Sequence, residues 1–203
     1  MHTLSDLKAG KLKGLTRLRL SEELTTFPDE VFELADTLEI LDLSHNRLSE
    51  LPDLSRLKKL KIAFFSFNLF TKVPAAFKNC ENLYMLGFKA NQIEQFDEDI
   101  LPLGISWLIL TDNKIKALPR SMGKLSRLQK FPVAGNALTT LPQEMSQCRN
   151  LELIRLSANK LTAIPDWLLK LPKLSWLAFS GNPCSLSPDV ALDEVAYESL
   201  EMS

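Results

Sequence analysis

Seven asparagines recur along this chain at intervals of 22 or 23 residues, and each one closes the same frame of apolar residues. The frame reads Leu-x-x-Leu-x-Leu-x-x-Asn, and other apolar residues replace leucine in some copies. A repeat this short cannot bury its own apolar side, so neighbouring copies must stack and share one elongated core. We call these residues the ladder asparagines: Asn46, Asn68, Asn91, Asn113, Asn136, Asn159 and Asn182.

One repeat, residues 38–52, shows the physical reason for the spacing. Leu41 and Leu43 are two residues apart, so they share the inward face of a strand, and their neighbours face outward. Asn46 ends the strand, where a short amide side chain can both donate and accept hydrogen bonds to exposed backbone groups. Pro52 then ends the extended segment, and we expect the chain to cross to the convex side there.

The convex side of each coil has its own pattern. A second apolar pair, spaced three residues apart as in Met122 and Leu125, follows each proline and predicts one helical or 3₁₀ turn. Asp97 replaces the usual proline in one copy, so we expect a less constrained turn there. Pro132 falls in mid-strand without an N–H, so one hydrogen bond between rungs must be missing or bypassed by a bulge.

Both ends of the chain have the pattern of helical caps. Thr3 and Asp6 fit a capping box, and Gly10 is placed to stop the helix. Residues 187–189, Ser-Pro-Asp, are typical of a helix start, and apolar residues follow at helical spacing. The sequence therefore predicts a single domain over residues 1–203. Its parts are an N-terminal cap at 1–14, about eight repeats over 15–186, the first of them degenerate, and a C-terminal cap helix at 187–203.

The whole chain resembles leucine-rich repeat proteins of the 23-residue Leu-Pro type. This resemblance implies an α/β leucine-rich-repeat solenoid, or horseshoe, with a parallel concave β-sheet, short helical or 3₁₀ convex turns and helical caps at both ends. Four segments are also similar to the repeat region that precedes the catalytic domain in bacterial leucine-rich-repeat protein kinases. They are Leu-Ala-Asp-Thr-Leu-Glu at 34–39, Leu-Gly-Phe-Lys-Ala-Asn at 86–91, Trp-Leu-Ile-Leu-Thr-Asp-Asn at 107–113 and Gly-Asn-Pro at 181–183.

The outward strand positions form two predicted columns on the concave face. The first column is Arg17, Ile40, Ile62, Met85, Trp107, Lys130, Leu153 and Trp176. The second column is Arg19, Asp42, Phe64, Gly87, Ile109, Pro132, Arg155 and Ala178. Large apolar groups on a water-facing sheet favour a partner-binding surface, for which the candidates are Phe64, Phe67, Trp107, Ile109 and Trp176. The alternative for Ile40, Ile62 and Leu153 is that they belong to the edge of the core.

Charge and motif content argue against most other classes of function. The formal net charge is −1, and acidic segment 94–99 and the basic residues of 114–127 have the pattern of solvated convex faces, which argues against nucleic acid binding. Apolar runs are too short for a membrane span. Cys80 and Cys148 occupy convex core positions, and the cysteine pattern and missing glycosylation sequon favour the cytoplasm. We expect a monomer.

Nothing in the sequence predicts catalysis, a cofactor or a metal site. His45 falls on the concave rim with Asp42 and Asp112, but a solvated histidine is the better interpretation of so loose a constellation. The glycine loop, lysine and catalytic aspartate of kinases are missing, so no catalytic residue carries over from that resemblance. The leading hypothesis is a non-catalytic module that binds a protein or peptide on its concave face. The alternative is the sensor or docking domain of a bacterial kinase whose catalytic domain is not in this chain, and an enzyme is the least favoured.

Overall fold

The computed structural model describes residues 2–186, in which the chain winds into eight stacked coils. Each coil adds one short strand to a single parallel sheet, and the strands follow chain order across it, which confirms the predicted fold class. Side chains alternate between the two faces of the sheet along every strand, so the central residue is buried in the core and the two beside it face the concave side. The strands are β1 Arg17–Arg19, β2 Ile40–Asp42, β3 Ile62–Phe64, β4 Met85–Gly87, β5 Trp107–Ile109, β6 Lys130–Pro132, β7 Leu153–Arg155 and β8 Trp176–Ala178.

Short helices lie on the convex side and at the N-terminal end. The N-terminal helix begins as predicted, since the Thr3 hydroxyl accepts a hydrogen bond from the Asp6 N–H at 3.0 Å. Gly10, with a φ of 68°, lies just beyond its end. The predicted C-terminal cap helix, 187–203, lies outside the described residues. The α-helices are α1 Leu4–Lys8 and α2 Asp166–Leu169, and the 3₁₀ helices are Asp29–Leu34, Ala75–Phe77, Arg120–Lys124, Gln143–Gln147 and Pro183–Leu186.

Repeat length decides whether a coil has a helical turn. The coils of 23 residues between ladder asparagines have one, whereas the two coils of 22 residues, 46–68 and 91–113, have none. The prediction of a helical turn after every proline is therefore wrong for Pro52. In that coil Asp53 accepts hydrogen bonds from the Ser55 N–H and hydroxyl, both at 2.9 Å, so a side-chain turn replaces the helical one.

The core is one continuous apolar column behind the sheet. Four phenylalanines from two successive coils fill its middle, Phe65, Phe70, Phe77 and Phe88, with ring centroids 5.1 to 6.0 Å apart. Their mixture of stacked and edge-on contacts adds to the stabilisation that comes from burial alone. Because each coil shares its core with both neighbours, the concave sheet has a rigid support along its length.

The ladder asparagines bond one coil to the next. The Asn136 side-chain N–H groups donate to the carbonyl oxygens of Leu110 at 2.9 Å and Val133 at 3.0 Å, and its Oδ1 accepts from the Ile115 N–H at 3.0 Å. All seven are buried, and each carries equivalent bonds within its own coil and to the coil before it. The amide thus satisfies backbone groups that the sharp turn after each strand leaves unpaired.

Pro132 interrupts the hydrogen bonding between β5 and β6. These strands keep one registered pair, Trp107 with Lys130, whereas the other neighbouring strands keep three. No bulge compensates, because the Leu110 N–H still donates to the Pro132 carbonyl at 2.9 Å. The hydrogen bond that a residue with an N–H would donate from position 132 is simply lost.

We expect the gap between β5 and β6 to open more readily than its neighbours. The Leu110 amide bonds across this gap, and the Phe88 amide makes the equivalent bond, to Ile109 at 2.8 Å, across the intact β4–β5 pair. One missing hydrogen bond should make Leu110 exchange with solvent deuterium roughly tenfold faster than Phe88. Equal protection of the two amides in a native-state exchange experiment would contradict this.

The acidic turn at Glu98 and Asp99 binds the next coil. The Glu98 carboxylate accepts from the Arg120 and Ser121 N–H groups at 2.8 and 2.7 Å, and Asp99 pairs with Lys124 at 2.6 Å. Hydrogen bonds from Ser121, and then from Arg120, hold the pKa of Glu98 below its usual value. This part of the acidic segment therefore connects coils, and is not only a solvated face as the sequence predicts.

Candidate functional site

The strand register aligns the first outward column as the sequence predicts it, and it aligns the second column except between Ile109 and Pro132. Arg17 pairs with Ile40, Ile40 with Ile62, and this order continues through Leu153 to Trp176. Neighbouring side chains in a column are therefore one rung, about 4.8 Å, apart. Ile40, Ile62 and Leu153 are half-buried, so they face the concave surface with part of each side chain covered.

A contiguous apolar strip crosses the middle of this surface. Its residues, which we call the concave strip, lie on three successive strands: Ile62, Phe64, Met85, Gly87, Trp107 and Ile109. Gly87 makes the strip continuous, because the Phe64 ring leans over it. A Cβ atom at residue 87 would lie 2.8 Å from Cδ1 of Phe64 and 3.8 Å from Cβ of Ile109. The side chains of Phe64, Trp107 and Ile109 are half-buried, so each exposes only part of its apolar area.

A lysine ends the concave strip on its C-terminal side. Lys130 is the register partner of Trp107, and its Nζ lies 4.1 Å from the centroid of an indole ring of Trp107. An ammonium group over an indole face is attracted by the negative face of the ring. The strip therefore presents apolar area and a positive charge side by side.

The rim of the concave face carries two stacked rings in an unusual backbone conformation. His45 and Phe67 have φ values of 59° and 55°, and their rings stack with centroids 4.4 Å apart and planes 11° apart. All seven residues that precede ladder asparagines have positive φ, and elsewhere this position holds alanine, aspartate or glycine. A bulky side chain is disfavoured in this conformation. Phe67 nevertheless occupies it with 46% of its surface exposed.

The fifth candidate residue, Trp176, lies apart from the other four. It is on the last rung, three rungs or about 14 Å from Trp107, with Lys130 and Leu153 between them. The Arg155 guanidinium lies 5.9 Å from its ring centroid. Within residues 2–186 no group accepts a hydrogen bond from its buried indole N–H. The structure thus brings Phe64, Trp107 and Ile109 together with Phe67 on the nearby rim, and leaves Trp176 outside this group.

The possible catalytic constellation around His45 does not assemble. His45 stacks on Phe67, Asp42 accepts from the Ser44 N–H at 3.0 Å and lies 3.4 Å from Arg19, and Asp112 is three rungs away on the coil of β5. In the described part of the chain no group of histidine, cysteine or acidic side chains could hold a metal ion. No described helix is long and apolar enough to cross a membrane.

Sequence reasoning missed two features of this surface. Lys130 belongs to the predicted column but not to the predicted site, although its spacing of 23 residues from Trp107 puts it on the adjacent rung. The positive φ of the seven residues that precede the ladder asparagines was also missed, although glycine at two of these positions, Gly135 and Gly181, is a signal for it.

Comparison with protein families identifies the repeat. Models described as leucine rich repeat match residues 103–161, 126–183 and 37–57. The chain is a leucine-rich repeat protein. The curated relatives include leucine-rich repeat and calponin homology domain-containing protein 1 of Mus musculus, which is 32% identical over 64% of this chain and 17% of its own length. Human lumican is 31% identical over 63% of this chain and 38% of its own length.

Solved leucine-rich repeat structures share the fold over most of this chain. One is a leucine-rich repeat protein of Leptospira interrogans, with a TM-score of 0.68 at 25% identity over 92% of this chain and 55% of that chain. Another is the plant peptide hormone receptor RGFR1 in complex with RGF2, with a TM-score of 0.68 at 26% identity over 87% of this chain and 30% of that chain. The segment of this chain that aligns with the two curated relatives covers less than two fifths of the full length of either relative.

Proposed function

We propose that this leucine-rich repeat chain is a non-catalytic interaction module that binds a protein or peptide segment across its concave face. The observation that carries the proposal is the concave strip, a continuous apolar area on a sheet face that would otherwise be expected to be polar. Exposed apolar area costs free energy in water, so a patch of this kind usually marks an interaction site. The anchors are Phe64, Phe67, Trp107 and Ile109, with Trp176 as a separate contact.

The backbone at Phe67 supports the same proposal. A phenylalanine at positive φ costs about 1 kcal/mol or more relative to glycine, and the coil would fold without that cost if residue 67 were glycine. The turn imposes this conformation on every coil, so what favours a task beyond folding is the choice of a large exposed ring for it at residue 67. Stacking on His45 holds the ring in place beside the concave strip, as a rigid binding group should be held.

The similar proteins are in keeping with an interaction role. The receptor RGFR1 was solved in complex with RGF2, and its fold resembles this chain over most of the described coils. The kinase-associated alternative, the monomeric state, the cytoplasmic location and the lack of nucleic acid binding stay predictions.

Burial raises the pKa of Cys80 and Cys148 to about 11, so both thiols are protonated packing groups at neutral pH.

Replacing Phe67 by glycine is the sharpest test of the proposal. Glycine adopts positive φ without strain, which offsets the lost stacking on His45, so the free energy of unfolding should change by no more than about 1 kcal/mol. Binding should fall strongly, because the ring is removed from the surface. Phe64→Ser is less clean, since its half-buried ring packs on Gly87 and its loss also affects stability.

The measurement is capture from a native cell extract, followed by quantitative mass spectrometry with matched variants. The control is Leu169→Ser, which removes an equally apolar side chain that is 65% exposed on the convex helix α2. Proteins retained by the wild type and by Leu169→Ser, but lost from Phe67→Gly, would support concave binding. Proteins lost only from Leu169→Ser would place the interaction on the convex side and refute the proposal.

A further inference from the structure

We infer that the Trp107–Lys130 pair is a subsite for an acidic residue of the partner, so that the bound segment carries an aspartate or glutamate next to apolar side chains. This inference rests on the proposed function, because it specifies the chemistry of the segment that lies on the concave face. It comes from the charge distribution over the outward positions and from the surroundings of Lys130.

The central outward columns are basic in a chain whose charges balance. The chain has 24 lysines and arginines against 25 acidic residues, so its formal net charge is −1. The outward positions of each coil are the first and third strand residues and the residue two positions after the strand. At these positions the cations are Arg17, Arg19, Lys89, Lys130 and Arg155, and the only acid is Asp42. A local excess of positive charge favours a partner of negative charge.

Lys130 differs from the other lysines near this surface. Lys61 pairs with Glu39 at 3.0 Å, and Lys89 lies 3.9 Å from Asp112. Among residues 2–186 no carboxylate lies within 4.0 Å of the Lys130 ammonium, which instead contacts the Trp107 ring. The cation–π contact fixes the ammonium at the edge of the sheet's apolar area and leaves its hydrogen-bond donors available to an incoming carboxylate.

The position of Lys130 sets the order of groups along the partner. The concave strip covers β3 to β5, and Lys130 begins the next rung, so the apolar side chains and the carboxylate must lie on neighbouring rungs about 4.8 Å apart. An extended segment that runs across the strands spans roughly 3.3 Å per residue. The acidic residue should therefore follow or precede the last apolar anchor by one or two positions.

The test uses a displayed library of random peptides, panned against the full chain. Peptides selected by the wild type should be enriched in aspartate or glutamate at one or two positions from an aromatic or branched aliphatic residue. Lys130→Met keeps the length and apolar stem of the side chain but removes its charge. The selected peptides should bind this variant roughly tenfold more weakly, which is the effect of losing one charged hydrogen bond.

A thermodynamic cycle separates recognition from packing. Changing the peptide's acidic residue to its amide should weaken binding to the wild type roughly tenfold, yet leave binding to Lys130→Met unchanged, because the interaction is already absent. Panning on Lys130→Glu should shift the enrichment to lysine and arginine. A consensus without acidic residues, or equal affinity for the wild type and Lys130→Met, would overturn the subsite.

The outcomes also distinguish this inference from the proposed function. Peptides that lose affinity for Phe67→Gly but bind Lys130→Met normally would refute the acidic subsite and leave the concave site standing. Peptides that are insensitive to both changes would refute concave binding itself. A single-stranded oligonucleotide of mixed sequence serves as a third probe. Its tight binding through Lys130 would identify the basic columns as a nucleic acid surface and overturn the inference.

Discussion

Replacing Leu156 by alanine is expected to lower the free energy of unfolding by about 2–5 kcal/mol. The side chain has no exposed surface and lies where two coils share the core. The substitution leaves the backbone hydrogen bonds of residue 156 intact. The N–H donates to Ala178 at 2.6 Å, and the carbonyl accepts from Asn159 and Asn182, both at 2.9 Å. The loss therefore measures side-chain packing, together with the cavity left behind.

A urea titration followed by circular dichroism would measure the effect, with Leu169→Ala as the matched control. Leu169 undergoes the same chemical change but is 65% exposed, so the free energy of unfolding of this variant should fall by no more than about 0.5 kcal/mol. Its urea midpoint should therefore stay close to that of the wild type. The slope of the transition should stay the same, because the surface exposed on unfolding is unchanged. Equal midpoints for the two variants would mean that the coils do not share a close-packed core at Leu156.

The arrangement of the sheet could be predicted residue by residue because two periods determine it. Alternation along a strand sends Phe64 outward and Ala63 inward, and the repeat then aligns Phe64 with Gly87 on the next rung. Neither step needs a contact to be known in advance. This is why both outward columns follow from the sequence alone.

The convex turns show where periodicity stops being sufficient. Leu54 and Leu57 have the same three-residue spacing as Met122 and Leu125, yet only the second pair accompanies a 3₁₀ helix. Both pairs are buried, so the apolar pattern indicates which side chains face the core and not how the backbone connects them. The missing residue in the shorter repeat decides the connection, and Asp53 then supplies the local hydrogen bonds.

The details of the candidate site depend on side-chain directions that the repeat does not encode. Phe64 could be placed on the concave face, but the lean of its ring over Gly87 depends on the space that residue 87 leaves. Phe67 could be named as a candidate, but its positive φ follows from the turn that every coil makes before its asparagine. Lys130 became part of the site only through its contact with the Trp107 ring.

Removing a ladder asparagine is the second large effect that we expect. Asn136→Ala should cost on the order of 1–3 kcal/mol, because it leaves the Ile115 N–H without its acceptor and the carbonyls of Leu110 and Val133 without this donor inside the protein. The matched control is Asn82→Ala. Asn82 also donates to a backbone carbonyl, that of Lys58 at 2.7 Å, but it is exposed, so water can replace its hydrogen bond.

Asn136→Asp tests the donors of the ladder separately from its shape. Aspartate has nearly the same size as asparagine and keeps an acceptor for Ile115, but the carboxylate cannot donate to Leu110 or Val133. It would also bring a negative charge toward two carbonyl oxygens in a buried turn, so we expect it to destabilise the protein at least as much as alanine does. The comparison is made by urea denaturation at neutral pH. If Asn136→Asp proved as stable as the wild type while Asn136→Ala did not, the amide would act by filling space and accepting from Ile115, and its donation to the two carbonyls would contribute nothing.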